Sequence, residues 1–425
     1  MAHSTRAFIP LLIVCLLLTA CGPAKNQATN SKTQTPLMDV CPGLIKSIQT
    51  CLTPRALRVA YGIEALTQKG FTGKGQTIID ITSFDSPTLQ NDMKVFDQTF
   101  NLPPVDLQVI SPLNMPEADP NKDKEAWEEG TVQEVQLFHA IAPEAKIIVL
   151  VSPVAETEGT FGLPEFRKLL QYAIDHQLGN IVSLRWNVSE ATLQDTQGMQ
   201  ELQQWDDLFQ QGITKSHMTY IATSGSGGAA NLAADGKKIA TVPMSSFPGD
   251  SPWVTSVGGT NLLLTSAGST LSETGWSASG GGFSQIYPMP SYQRLLPAAV
   301  QQQFNNRRGI PDVAADENNI TGPALYVKGQ WRQAGGNSSV PIWAALQAIA
   351  NQVAKRPLGF INPGLYKLAA SSTYQQDFYD VTQGDNSYNQ AGIKGYSAGQ
   401  SWDAVTGLGT PNAGKLIPDL IAALT

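Results

Sequence analysis

Two alternating periods constrain the fold of this chain more than any other feature. Thr77-Ile78-Ile79-Asp80-Ile81, Ile147 to Val151, Asn180-Ile181-Val182-Ser183-Leu184 and Met218-Thr219-Tyr220-Ile221-Ala222 are short apolar runs that read as buried strands. Leu89 to Phe100, Glu125 to Ala140, Leu163 to His176 and Met199 to Gln211 lie between or beside them and are helical in pattern. Arg55 to Leu66 is a further helical stretch. Strand and helix in alternation predict an α/β fold, a parallel sheet with helices on both faces. Gly-rich loops are expected to dominate from Gly225 to Gly282. The 425 residues would suggest two or three domains on length alone. With no internal repeat and no second composition regime, residues 41–425 read instead as a single large domain.

The N-terminus reads as a targeting segment. Arg6 precedes an apolar run, Phe8 to Leu18, too short to span a bilayer as a mature helix. It ends Leu18-Thr19-Ala20-Cys21-Gly22, which resembles a bacterial lipobox. That resemblance implies a lipoprotein signal at 1–20, a lipid on Cys21 and a membrane anchor; a plain signal peptide is the alternative. Either predicts an extracytoplasmic protein. Residues 21–40 are polar, rich in Ser, Thr and Asn, and expected to form a flexible tether. Cys41 and Cys51 then remain as an even pair in an oxidising compartment. A disulfide between them would contribute about 2–4 kcal/mol. The net charge of −7, with no basic stripe, argues against nucleic-acid binding.

The most informative short stretch is Ala334-Gly335-Gly336-Asn337-Ser338-Ser339-Val340-Pro341, before an apolar helix starting IWAALQAIANQVA. Its glycines permit a tight turn, its small polar residues suit an N-cap, and Pro341 suits the first helical position. Many hydrolases present a nucleophile at such a turn. An ordinary capped loop has the same composition.

Several longer stretches resemble the sedolisin family, the serine-carboxyl peptidases with a subtilisin-like fold. They are CLTPRALRVAYGI (51–63), GFTGKGQTIIDI (70–81), HAIAPEAKIIVLV (139–151), SFPGDSPWVTSVGGTNL (246–262), WSASGGGFS (276–284), RGIPDVAADENNITG (308–322), DVTQG (380–384) and GYSAGQSWDAVTGLGTP (395–411). They occur in family order across the whole domain. The resemblance implies a Ser nucleophile, a Glu base, an Asp four residues later that supports it, and a second Asp in the oxyanion hole. A carboxylate base suits acid conditions, since an unperturbed Glu has a pKa of about 4.3.

Carried over position by position, this machinery is altered everywhere. Counting without gaps from the HAIAP helix end, the base falls on Gly130 and its supporting Asp on Glu134. The oxyanion Asp falls on Ser226, in Ser224-Gly225-Ser226-Gly227-Gly228. Counting back from Pro341, the nucleophile falls on Asn337. A rival alignment that pins Gly335-Gly336 and deletes one residue makes Ser338 the nucleophile, with Glu129 or Glu134 recruited as base. Loss of a serine nucleophile alone costs about 10⁶ in turnover. The expectation is therefore a catalytically degenerate homologue that binds a peptide or protein. The alternative is an active acid endopeptidase using Ser338. The family's long propeptide is not matched here, which the same expectation absorbs.

The resemblance also implies one structural calcium ion. Its carboxylates would be Asp380 and Asp403, its carbonyls Val381, Gly399 and Ser401. Of the histidines, His139 is expected to be packed, and His176 and His217 lack partners at metal spacing. Gly280-Gly281-Gly282 is expected to let a peptide backbone approach. Arg185 and Trp186 border the implied cleft and are expected either to bind peptide or to cover the sheet edge. Neither ligand identity nor oligomeric state is written in the sequence.

Overall fold

The computed structural model describes residues 52–265, 268–388 and 392–425. Segments 1–20 and 21–40, the lipid site Cys21 and the pair Cys41 and Cys51 lie outside the described residues. The strands of the main sheet are β1 (Thr77–Ser83), β2 (Asp106–Ile110), β3 (Lys146–Ser152), β4 (Ile181–Leu184), β5 (Thr219–Thr223), β6 (Thr255–Leu264), β7 (Thr270–Gly275) and β8 (Val313–Asp316). Their order is β8-β6-β5-β4-β1-β3-β2, with β7 paired to β6. Every pairing along that path is parallel, and only β7 runs antiparallel. The major helices are α1 (Leu89–Phe100), α2 (Lys124–Ile141), α3 (Leu163–Asp175), α4 (Thr196–Ser216), α5 (Ser339–Ala354) and α6 (Ala413–Ala423).

The period-two pattern of the strands divides the core in two. Ile78, Ile147, Val149, Ile181 and Ile221 point to one face and pack with Val132, Val135 and Phe138 of α2 and with Ile342 and Leu346 of α5. Ile79, Ile81, Ile148, Leu150, Val182 and Leu184 point to the other face, against Phe166 and Leu169 of α3 and Trp205 and Phe209 of α4. Asp80 shares the parity of Ile78. It is a fully buried carboxyl group on the α2 side of the central strand. α5 lies across the sheet in contact with β1, β4, β5, β6 and β8 and beside α2, and is buried on all sides from Ser339 to Asn351.

Two expectations need correction and one needs detail. Loops do dominate 225–282, but two strands of the main sheet, the ten-residue β6 and then β7, run through it. Gly258 and Gly259 dilute the strand signal of β6. Side chains there would collide with Pro311 and Val405, or with Trp276 and Glu317. The helical stretch 55–66 is two helices, Pro54–Ala60 and Glu64–Thr67, broken where Gly62 takes φ +69°. Pro341 is the third residue of α5 rather than the first, because the helix already begins at Ser339.

The glycines 280–282 also serve a different purpose from ligand approach. A Cβ at Gly280 would collide with the Ser224 carbonyl oxygen and lie 2.7 Å from Gly225 Cα. One at Gly281 would strike the Ala404 carbonyl. Gly280 and Gly281 are glycine because the chain packs on its own backbone there, Gly280 against the start of the 224–228 turn. Gly280→Ala is expected to lower stability by about 1–3 kcal/mol, the range for overpacking. A urea melt of this variant that matches the parent would contradict that reading.

Candidate functional site

The carboxyl ends of parallel strands are where an α/β sheet offers a crevice. Here β4 ends into Arg185, β5 into the 224–228 turn, and β8 into Glu317, beneath the mouth of α5. α2 closes one side. Two cavities meet at this point, and Arg185 lines both. One of about 290 Å³ is bordered by Trp127, Glu156, Glu158, Arg185, Trp186 and Asn337. The other, about 460 Å³, is bordered by Glu129, Gly130, Arg185, Ser226, Arg332 and Gly336. Of the positions singled out from sequence, Glu129, Gly130, Ser226 and Asn337 border these cavities, while Glu134 and Ser338 are buried and line neither.

Arg185 dominates the centre of that cleft. Its Nε donates to Glu134 Oε2 at 2.9 Å. Its guanidinium stacks 5.6 Å from the Trp127 ring centroid, a cation–π contact. A Cβ at Gly130 would lie 2.6 Å from Nη1 and still closer to Nη2 and Cζ. Gly130 is therefore half of a steric exchange: the helix gives up a side chain and the arginine fills the space. A glycine inside a helix costs about 1 kcal/mol relative to alanine, so its presence in the middle of α2 calls for such a reason.

Glu134 points inward, 1% exposed, as its helical position suggested. Ser183 Oγ donates to its second oxygen at 3.0 Å. Burial pushes its carboxyl upward, opposed mainly by the charge of Arg185. Asp80 stands beside it and is raised well above the ordinary range, by burial first and by the Glu134 charge second. Burial and the neighbouring Glu134 charge both disfavour the ionised form of Asp80. Asp80 was not among the sequence candidates, although a lone carboxylate within an otherwise apolar strand was a legible signal.

Asn337 occupies the turn before α5 with φ +64°, a conformation that asparagine tolerates better than most residues. Its Oδ1 accepts from Thr223 Oγ1 at 2.7 Å, and its Nδ2 donates to the Arg185 carbonyl at 2.9 Å. The amide thus ties β5 to β4. Gln133 of α2 donates to the carbonyls of Gly335 and Gly336 at 3.0 and 3.2 Å and fixes the same turn from the other side. Ser226 is exposed on the rim of the larger cavity.

Ser338 is fully buried, and its hydroxyl donates to the Asp316 carbonyl at 3.1 Å. It makes no hydrogen bond to Glu129 or Glu134. Glu129 is engaged by Arg332 at 2.8 Å and by Lys328 at 3.6 Å, and these partners hold its carboxyl below the ordinary range. Ser339, which the sequence reading passed over, donates to Glu317 Oε2 at 2.6 Å. Burial raises Glu317 to about 7, and it also accepts from the Asn337 backbone N–H at 2.5 Å. Both Ser339 and Glu317 are sealed from the cleft, so this pair anchors the turn to β8.

Trp186 is a core residue at 3% exposure, packed on Phe166 and Trp205, with one edge on the smaller cavity. Arg185 faces the cleft, so the two neighbours divide the roles left open for them. His139 is packed as expected, fully buried beside the Pro103 carbonyl and Asp97. In the C-terminal loops, Ser401 N–H donates to Asp380 Oδ2 at 3.0 Å and Gly399 N–H to Asp403 Oδ2 at 3.1 Å. Asp380 Oδ1 is buried with no hydrogen-bond partner. Burial raises Asp380, and it raises Asp403 to about 6. Among the described residues no three His, Cys, Asp or Glu side chains group as metal ligands, so a cation there would depend on main-chain oxygens.

No protein-family model matches the chain. It is 32% identical over 330 residues to kumamolisin of Bacillus sp. (strain MN-32), covering 75% of this chain and 54% of that protein. It is 28% identical over 344 residues to sedolisin of Pseudomonas sp. (strain 101), covering 78% of this chain and 55% of that protein. The solved structure of Pseudomonas sedolisin, a serine-carboxyl proteinase complexed with two molecules of pseudo-iodotyrostatin, superposes with a TM-score of 0.72 at 26% identity, across 86% of this chain and 96% of that one. The chain belongs to the sedolisin family. It spans about half the length of the curated relatives it matches. The sheet order and the flanking helices are the family's α/β architecture.

Within this sedolisin-family cleft the Arg185–Glu134 pair yields a pH-dependent prediction. Removing one partner of a buried pair costs about 3–5 kcal/mol. Arg185→Ala would leave Glu134 buried without its cation and raise its carboxyl further. A raised folded-state carboxyl favours folding at low pH and disfavours it as pH rises from the ordinary carboxylate range towards the folded value. The loss of stability in Arg185→Ala is therefore expected to be large near pH 7 and much smaller near pH 4. Equal losses in denaturant melts at the two pH values would contradict this account.

Proposed function

We propose that this chain is an exported sedolisin-family protein that binds peptide in its cleft without cleaving it. One observation carries the reading: a guanidinium, permanently charged and paired to Glu134, lies against the residue aligned with the family's base, and that residue is Gly130. An arginine cannot accept a proton at any working pH. Asn337 at the aligned nucleophile position has no hydroxyl, and Ser226 at the aligned oxyanion position has no carboxyl. The family architecture and the cavities support retention of a binding cleft. The apolar run 8–18 and the Cys21 motif support export and a lipid anchor; among the described residues no helix is long and apolar enough to cross a membrane.

Incubation with denatured protein between about pH 3 and 5, the range of a carboxylate base, tests the reading. Turnover is expected to be lower by about 10⁶ than that of a peptidase with an intact nucleophile. Specific cleavage that disappears in Ser338→Ala would instead establish the alternative acid endopeptidase, with Glu129 or Glu134 recruited as base.

We further infer one structural calcium ion held by Asp380 and Asp403 with the carbonyls of Val381, Gly399 and Ser401. The unpartnered buried oxygen of Asp380 and the desolvation of both carboxyls fit a cation at that position. The ion would tie the 380–381 and 399–403 loops together. EDTA is expected to lower the melting temperature by several degrees and added calcium to restore it. A melt unchanged by EDTA would rule the ion out.

A further inference from the structure

Arg185 has a second edge that the protein does not use. Its Nε meets Glu134, the one side-chain hydrogen bond that Arg185 donates among the described residues, which leaves Nη1 and Nη2 without a partner there. The side chain is 16% exposed and borders both cavities, so these two donors face the cleft and are open to a ligand. Glu134, the Trp127 ring and the Asn337 tie on its own carbonyl hold it in place. The Nη1–Nη2 edge of a guanidinium has the spacing of a carboxylate's two oxygens.

The charges around it are unevenly divided. The larger cavity carries Arg185 and Arg332 against Glu129, which already pairs with Arg332 and Lys328. The smaller carries Asp123, Glu156 and Glu158 against Arg185 alone. A bound carboxylate would meet two guanidinium groups on the larger side and three carboxyl groups on the smaller, so the larger side suits it better. Gln133, Ser226, Asn319 and Gln333 border the larger cavity with neutral polar groups, and Trp276 and Leu325 give it apolar wall.

We propose that the space facing Gly130 is a carboxylate-binding site, in which the free edge of Arg185 receives a carboxylate of a bound peptide within the larger cavity. This rests on the peptide-binding reading and specifies its ligand chemistry. The carboxylate comes either from the peptide's C-terminus or from an acidic side chain. Gly130 is required by the site, since any side chain there would displace the guanidinium.

Three probes test it by calorimetry at pH 7 and low salt: acetyl-tetraalanine with a free C-terminus, the same peptide as its C-terminal amide, and acetyl-Ala-Ala-Glu-Ala amide. The free acid is expected to bind about tenfold or more tightly than the amide, the increment of a charge-assisted pair. If the glutamyl amide shares the gain, an acidic side chain serves as well as a C-terminus. Gly130→Ala favours helix and is expected to stay folded, yet to reduce the preference to less than about twofold. Arg185→Lys keeps the charge but loses the fork, and is expected to weaken it likewise. Equal affinities for all three probes would overturn the carboxylate site and leave peptide binding standing. Binding of none would remove the peptide reading itself. A preference that survives in both variants would place the carboxylate elsewhere.

Discussion

The cleft depends on one buried contact, the Arg185 guanidinium between Glu134 and the bare backbone of Gly130. A fully buried carboxylate without a cation is costly, and a second carboxyl beside it makes matters worse. Asp80 and Glu134 lie on facing elements, β1 and α2, at the centre of the fold. Arg185 reaches them from the end of β4, because β4 is the neighbour of β1 in the sheet. The pair therefore joins three elements that also hold the core together. The lack of a side chain at Gly130 leaves the space for that reach.

The same contact governs what chemistry the site can support. A general base needs a free lone pair and a pKa near the working pH. Each oxygen of Glu134 is already committed, one to Ser183 and one to Arg185. The serines next to Asn337 face inward, to Asp316 and Glu317, rather than toward the cleft. Hydroxyls and carboxyls are plentiful around the site, but Ser338, Ser339 and Glu134 are each paired within the protein. What does face the opening is donor-rich: two arginine side chains, glutamine and asparagine amides, and the exposed turn at Ser226. Such a surface suits holding a ligand more than turning it over.

The sequence makes some of this readable, and the divide is physical. Strands β1, β3, β4 and β5 are legible as continuous apolar runs flanked by turns, and helices α1 to α4 by their period. β6 is not, because Gly258 and Gly259 thin out its strand character for the sake of neighbours distant in the chain. Positions 130, 226 and 337 border the two adjoining cavities and Glu134 lies buried behind them, because α2, the end of β5 and the mouth of α5 meet at the carboxyl ends of the strands. The partner that fills the gap is harder to foresee. Nothing in the spacing between Gly130 and Arg185 announces that one vacates space for the other; that relation exists only once β4 and α2 are packed.

Glycine runs carry a related lesson. Gly280 to Gly282 reads as an open strip for a ligand, yet each of Gly280 and Gly281 faces a carbonyl of its own chain. Gly130, inside a helix and so the less suggestive residue by pattern, is the one whose missing side chain shapes the cleft. The distinction follows from what a Cβ would meet. Where it meets the chain's own backbone, the glycine serves packing. Where it meets the charged end of a long side chain aimed at a cavity, the glycine sets which group the cavity presents, and here that group is the Arg185 guanidinium.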